Sequence, residues 1–119
     1  MRYYFIAGEA SGDLHAGNLI GELAKLDKNA VFRGLGGERM ETNGMQLVKH
    51  YREMAFMGFI PVLLNIRTIQ KNFRLCEKDL LAFNPDVLIL VDYPGFNLRM
   101  AEFAKANGIK VYYYISPKI

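Results

Sequence analysis

Val87-Leu88-Ile89-Leu90-Val91 is a run of five aliphatic residues with no polar residue alternating between them. A strand with one wet face alternates apolar and polar side chains, so this run predicts a strand covered on both sides, as in the centre of a parallel sheet. Four more β-rich runs lie at Tyr3 to Ala7, Val31 to Leu35, Gln46 to Val48 and Val111 to Ile115. Between them fall segments of helical periodicity, with helices expected over 13–26, 37–43, 62–83 and 96–107. Asn107-Gly108 supplies a C-cap signal for the last of these. The alternation predicts an α/β fold, a Rossmann-like, mostly parallel sheet with helices on both faces.

The 119 residues make one domain at most, and the 51% hydrophobic content excludes a disordered or fibrous class. A lone cysteine, Cys76, rules out an internal disulfide framework and fits a reducing compartment. His15 and His50 have no partners at ligand spacing, and with one cysteine no zinc site is expected. No Ser-His-Asp or Cys-His signature is present. A net charge of +3 is too small to imply nucleic acid. No apolar stretch approaches the roughly 20 residues that span a bilayer, and no signal-peptide pattern opens the chain, so a soluble or peripheral protein is expected. The chain stops just after a strand at Ser116-Pro117-Lys118-Ile119, which suggests the front part of a longer protein. Its bare sheet end could pair with a second copy as a homodimer.

Gly8-Glu9-Ala10-Ser11-Gly12-Asp13 follows the first strand directly and opens the first helix. Ligands of α/β proteins bind at such junctions. Two carboxylates here would repel a phosphate, whereas they suit hydroxyl groups such as those of a sugar. The spacing fits neither G-x-G-x-x-G nor a phosphate loop, which disfavours a dinucleotide or nucleoside triphosphate at this turn. Capping offers another use: Ser11 or Asp13 as N-cap and Glu9 as complement to the helix dipole. One capping oxygen does not account for all three residues.

Asp92 ends the apolar strand, and Tyr93-Pro94-Gly95 halts it before the next helix. At the carboxyl end of a central strand it faces the ligand crevice, where a partly desolvated carboxylate can serve as general base. Asp92 or Asn97 could equally satisfy helix N-terminal N–H groups.

Met54 to Leu64 carries no charge, and Gly58 and Pro61 interrupt any regular element within it. Beyond it, Ile66, Ile69, Phe73, Cys76, Leu80 and Phe83 step by threes and fours, with Arg67, Lys71, Arg74 and Lys78 as a second stripe. The apolar stretch reads either as core or, beside a cationic stripe, as a surface for acyl chains and anionic membrane. The stripe reads equally as a solvated face.

In combination, several segments resemble the lipid A disaccharide synthase family, inverting glycosyltransferases of bacterial outer-membrane lipid synthesis. They are Ala7 to Asp13, Gly36-Gly37 with Arg39-Met40, Met57-Gly58, Asn84-Pro85-Asp86-Val87, Asp92 with Pro94, Phe96 and Asn97, and Tyr114-Ile115-Ser116-Pro117. The resemblance implies two Rossmann-type domains facing a cleft in the GT-B arrangement. Residues 1–119 would be the N-terminal, acceptor-side domain, the donor-binding domain being absent and the fragment alone inactive. It further implies transfer of 2,3-diacylglucosamine from UDP-2,3-diacylglucosamine to the 6-hydroxyl of 2,3-diacylglucosamine 1-phosphate, with release of UDP and no required metal or cofactor. The setting would be the cytosolic face of the bacterial inner membrane.

On this resemblance Asp92 is the base that deprotonates the acceptor, while Glu9, Ser11, Gly12, Asp13, Asn97 and Ser116 bind the sugar. Phe56, Met57, Phe59, Ile60, Val62 and Leu63, with Arg67, Lys71, Arg74 and Lys78, would meet acyl chains or membrane. Pro61 departs from the pattern, since many relatives carry Glu there. Two other classes stay open: a non-catalytic sugar-binding module, and a glycosyltransferase with a soluble acceptor.

Overall fold

The computed structural model describes residues 1–54 and 62–114, the side chains of the second stretch from 66 onward. Ten elements follow in order: β1 (Arg2–Ala7), α1 (Ala10–Leu26), β2 (Val31–Gly36), α2 (Glu38–Thr42), β3 (Met45–His50), a 3-10 turn (Tyr51–Met54), α3 (Val62–Phe83), β4 (Val87–Val91), α4 (Pro94–Ala106) and β5 (Lys110–Tyr114). All strand pairs are parallel, in the order β3-β2-β1-β4-β5.

Every residue of β4 is buried, as its unbroken apolar run predicts. Val87, Ile89 and Val91 face one layer with Ala16 and Ile20 of α1 and Met40 of α2. Leu88 and Leu90 face the other, with Phe73, Cys76, Leu80 and Phe83 of α3 and Phe96, Met100 and Ala104 of α4. At about 1.5–3 kcal/mol per aliphatic side chain, this one strand contributes on the order of 10 kcal/mol before chain entropy is set against it. The chain winds from β1 towards β3 with α1 and α2 on one face, then crosses to β4 and β5 with α3 and α4 on the other. Right-handed crossovers require this reversal of faces.

Polar contacts fasten α3 to the sheet. Tyr4 donates its hydroxyl to Asp79 at 2.8 Å, and Arg33 clamps the same carboxylate with two N–H groups at 2.9 and 2.7 Å. Buried Asn72 accepts from Lys49 Nζ at 2.7 Å and donates to the Met54 carbonyl at 2.9 Å. The α3 stripes run as the sequence predicts, with one exception. Phe73, Cys76, Leu80 and Phe83 are buried and Arg67, Lys71, Arg74 and Lys78 exposed, but Ile66 is 47% exposed, one turn before Ile69, which packs against the core.

Candidate functional site at the carboxyl ends of β1 and β4

The strand order reverses direction between β1 and β4, the place in such sheets where ligands bind beyond the carboxyl ends of the strands. Ala7 pairs with Val91 in the β1–β4 register, so Gly8-Glu9 and Asp92-Tyr93 leave the sheet side by side. The Tyr93 ring packs on the Gly8 backbone, because a Cβ added at Gly8 would fall inside that ring. Gly12, also buried, brings the first turn of α1 over the same ends: a Cβ there would sit 3.3 Å from Ala7 Cβ and 3.7 Å from the Val91 carbonyl oxygen. Its role is close packing rather than exposure to a ligand.

The loop after β1 divides its acidic residues between two tasks. Glu9 occupies the N-cap position of α1 without a side-chain cap bond, and accepts a hydrogen bond from the exposed Ser11 hydroxyl at 2.9 Å. Asp13 faces the other way. It is 2% exposed, and its carboxylate accepts from the backbone N–H groups of Gly37 at 3.1 Å, Met40 at 3.0 Å and Arg39 at 3.1 Å. Asp13 therefore caps α2, whose own N-cap, Gly37, has no side chain to offer. The expectation that Asp13 holds a sugar hydroxyl is corrected accordingly, as is its place as a cap of its own helix.

Asp92 is 8% exposed and lies at φ +50°, followed by Tyr93 at φ +59°. Two successive non-glycine residues in the left-handed region cost about 1–3 kcal/mol each, a strain that persists only where the surroundings enforce it. The enforcement is visible. Tyr93 stacks on Phe96 (5.2 Å between ring centroids), Phe96 on Phe73 (4.5 Å), and the Arg99 guanidinium covers Phe73 at 4.1 Å. Burial raises the Tyr93 phenol well above its ordinary pKa.

Asn97 is 0% exposed, so the expectation that it touches substrate is also corrected. Its amide donates to the Asp92 carbonyl at 2.6 Å, with the Ile6 and Val91 carbonyls at 3.4 and 3.5 Å. A buried amide left without acceptors would cost more than the bonds themselves gain, which explains its inward turn.

Two groups at this rim went unread in the sequence. Tyr113 stands out in the sequence only as part of the β-rich run Val111 to Ile115. The β4–β5 register sets it opposite Leu90, and its hydroxyl lies 3.4 Å from the Asp92 carbonyl oxygen. Burial first, and the Asp92 charge second, raise its phenol pKa. His50, at the end of β3, meets Glu38 at 2.6 Å. The Arg52 N–H donates to His50 Nδ1 at 3.1 Å, which leaves Nε2 as the protonated nitrogen that donates to Glu38. Glu38 is thereby held below the usual carboxylate pKa.

Phe56, Met57, Phe59, Ile60 and Ser116 lie outside the described residues, as do the side chains of Val62 and Leu63. Among the described residues no group of three metal-ligating side chains occurs, and no helix is long and apolar enough to cross a membrane.

A family model described as lipid-A-disaccharide synthetase matches residues 3–119. The lipid-A-disaccharide synthase of Geobacter sulfurreducens is 42% identical over 118 residues, covering 99% of this chain and 31% of the relative. That of Trichlorobacter lovleyi is 43% identical with the same coverage, and lipid-A-disaccharide synthase 1 of Legionella pneumophila is 39% identical over 119 residues. The chain thus spans about a third of the length of these relatives. Among solved structures, a UGT transferase from Siraitia grosvenorii in complex with UDP superposes with a TM-score of 0.63 at 13% identity, over 95% of this chain and 27% of that one. At that identity the likeness speaks for the fold alone.

Proposed function

The chain belongs to the lipid-A-disaccharide synthetase family, and from that premise we propose that it forms the acceptor-side domain of a glycosyltransferase that joins two acylated glucosamines. The remaining two thirds of such an enzyme would supply the donor site. In this reading the donor is UDP-2,3-diacylglucosamine and the acceptor 2,3-diacylglucosamine 1-phosphate. The Asp92 carboxylate takes the proton of the acceptor 6-hydroxyl as that oxygen attacks the anomeric carbon. The bond from that carbon to the UDP oxygen breaks, and UDP leaves with the electron pair. Configuration inverts because attack and departure occur on opposite faces of the sugar.

Glu9 and Ser11, joined at 2.9 Å on the neighbouring loop, offer an acceptor and a hydroxyl to the sugar's own hydroxyls. Gly12 and Asp13 shape the loop that carries them. The exposed cations Arg67, Lys71, Arg74 and Lys78 run along α3, directly after the uncharged segment, and form no ion pair among the described residues. A row of unpaired cations beside apolar residues suits an anionic membrane surface, where a diacylated substrate resides. We place the enzyme on the cytosolic face of the inner membrane for that reason.

The observation that carries this reading is the adjacency of Glu9 and Asp92 beyond the carboxyl ends of β1 and β4. The test uses an enzyme of the relatives' full length whose matching third is this chain. Asp92→Asn should lower turnover by about 10²–10⁴ with the melting transition and substrate affinity retained. Unchanged turnover would remove the base assignment.

A further inference from the structure

We propose that Asn97 and Tyr113 are positioning residues for the Asp92 carboxylate, a two-sided clamp on its main-chain carbonyl that holds the residue in its left-handed conformation. The inference rests on the reading of Asp92 as base. The carbonyl oxygen of Asp92 receives the Asn97 amide at 2.6 Å from α4 and faces the Tyr113 hydroxyl at 3.4 Å from β5. Both donors follow β4 in the chain, Asn97 in the helix that the turn leads into and Tyr113 on the strand paired with β4, so the carbonyl is held by the strand pairing as well as by its own turn.

The geometry bears directly on the side chain. At φ +50° the direction of the Asp92 Cα–Cβ bond, and hence of the carboxylate, is tied to the direction of its carbonyl. Relaxation of Asp92 to a negative φ would swing the carbonyl away from both donors and carry the carboxylate with it. The Asn97 amide also lies 3.4 and 3.5 Å from the Ile6 and Val91 carbonyls, near the ends of β1 and β4. Its Oδ1 is buried with no hydrogen-bond partner among the described residues. The position therefore keeps the donor at the expense of the acceptor. Neither helix capping nor substrate contact requires that arrangement; holding the Asp92 carbonyl does.

A carboxylate misplaced by about 1 Å costs a proton transfer far more than it costs binding. In the full-length enzyme, Tyr113→Phe, a change at a side chain 38% exposed, should lower kcat by about tenfold with both KM values within about twofold and an unchanged melting transition. Asn97→Asp, which replaces the donor by an oxygen facing carbonyls, should lower kcat by about 10² or more. In an Asp92→Asn background, Tyr113→Phe should have no further effect, because the clamp acts only through Asp92. Additive losses in that double variant, or Tyr113→Phe with kcat within about twofold of the parent while Asp92→Asn abolishes turnover, would overturn the clamp and leave the base assignment standing. Should the Asn97 variant not fold, the Tyr113 pair of measurements decides alone. An active Asp92→Asn enzyme overturns both assignments.

Discussion

The Tyr93 ring rests on the main chain of Gly8, joining the turn after β4 to the loop after β1 across 85 residues of sequence (93 − 8). No side chain fits between them. The contact packs the two loops against each other, so a change at Gly8 reaches the Asp92-Tyr93 turn directly.

Gly8→Ala should therefore act at both loops at once. A methyl group inside the ring forces Tyr93 off its stack with Phe96, at a cost of about 1–3 kcal/mol by urea unfolding. In the full-length enzyme the same variant should lose turnover beyond what its stability loss explains. A stable and fully active Gly8→Ala protein would show that the two loops do not act together.

Asp13→Ala strips three backbone N–H groups of their buried acceptor and should destabilise the chain by about 2–4 kcal/mol. Asp13→Asn should also destabilise, because its amide sets a donor against donors. If Asp13 bound substrate instead, KM would rise with the unfolding midpoint unmoved.

The Glu38–His50 pair makes a pH-dependent contribution. Its main cause is the hydrogen bond from His50, which depresses the folded-state pKa of Glu38. Stability from such a group is fully present above the unfolded-state value and is lost as the pH falls through the folded-state one. Comparing urea midpoints of the parent and Glu38→Gln between roughly pH 7 and pH 3 should show a gap that closes only in the acid range. A gap of constant size would mean that the ionised carboxylate is not what stabilises.

Neutralising Arg67, Lys71, Arg74 and Lys78 should weaken retention on phosphatidylserine-containing vesicles by about 1 kcal/mol per charge, which amounts to more than 10² in partitioning for all four. Retention of the parent should also fall between about 0.1 M and 0.5 M salt, as screening shortens the reach of the stripe. Flotation unchanged by either treatment would leave α3 as an ordinary solvated face.

Much of this architecture is written in local pattern. The unbroken run Val87 to Val91 marks a doubly covered strand, and α3 was expected over 62–83, the limits it has in the structure. The periods of strand and helix determine which face a side chain takes, and neighbours in sequence suffice to express them. Asp92 could be singled out for the same reason: the end of a central parallel strand is a recognisable place.

What a buried polar atom meets there is another matter. Asp13 finds its partners 24 to 27 residues away, and Asn97 reaches a carbonyl 91 residues away on β1. Those partners exist only once strand order and register are set, so Asp13 and Asn97 looked like ligand-binding residues and proved to be internal fasteners. The left-handed turn at Asp92-Tyr93 is likewise a consequence of tertiary packing, since no local preference of Tyr would choose it. Sequence alone determined the layers and the rim on which the acidic residues stand; long-range hydrogen bonding, which outweighs local conformational preference, decided which of them are tied into the interior.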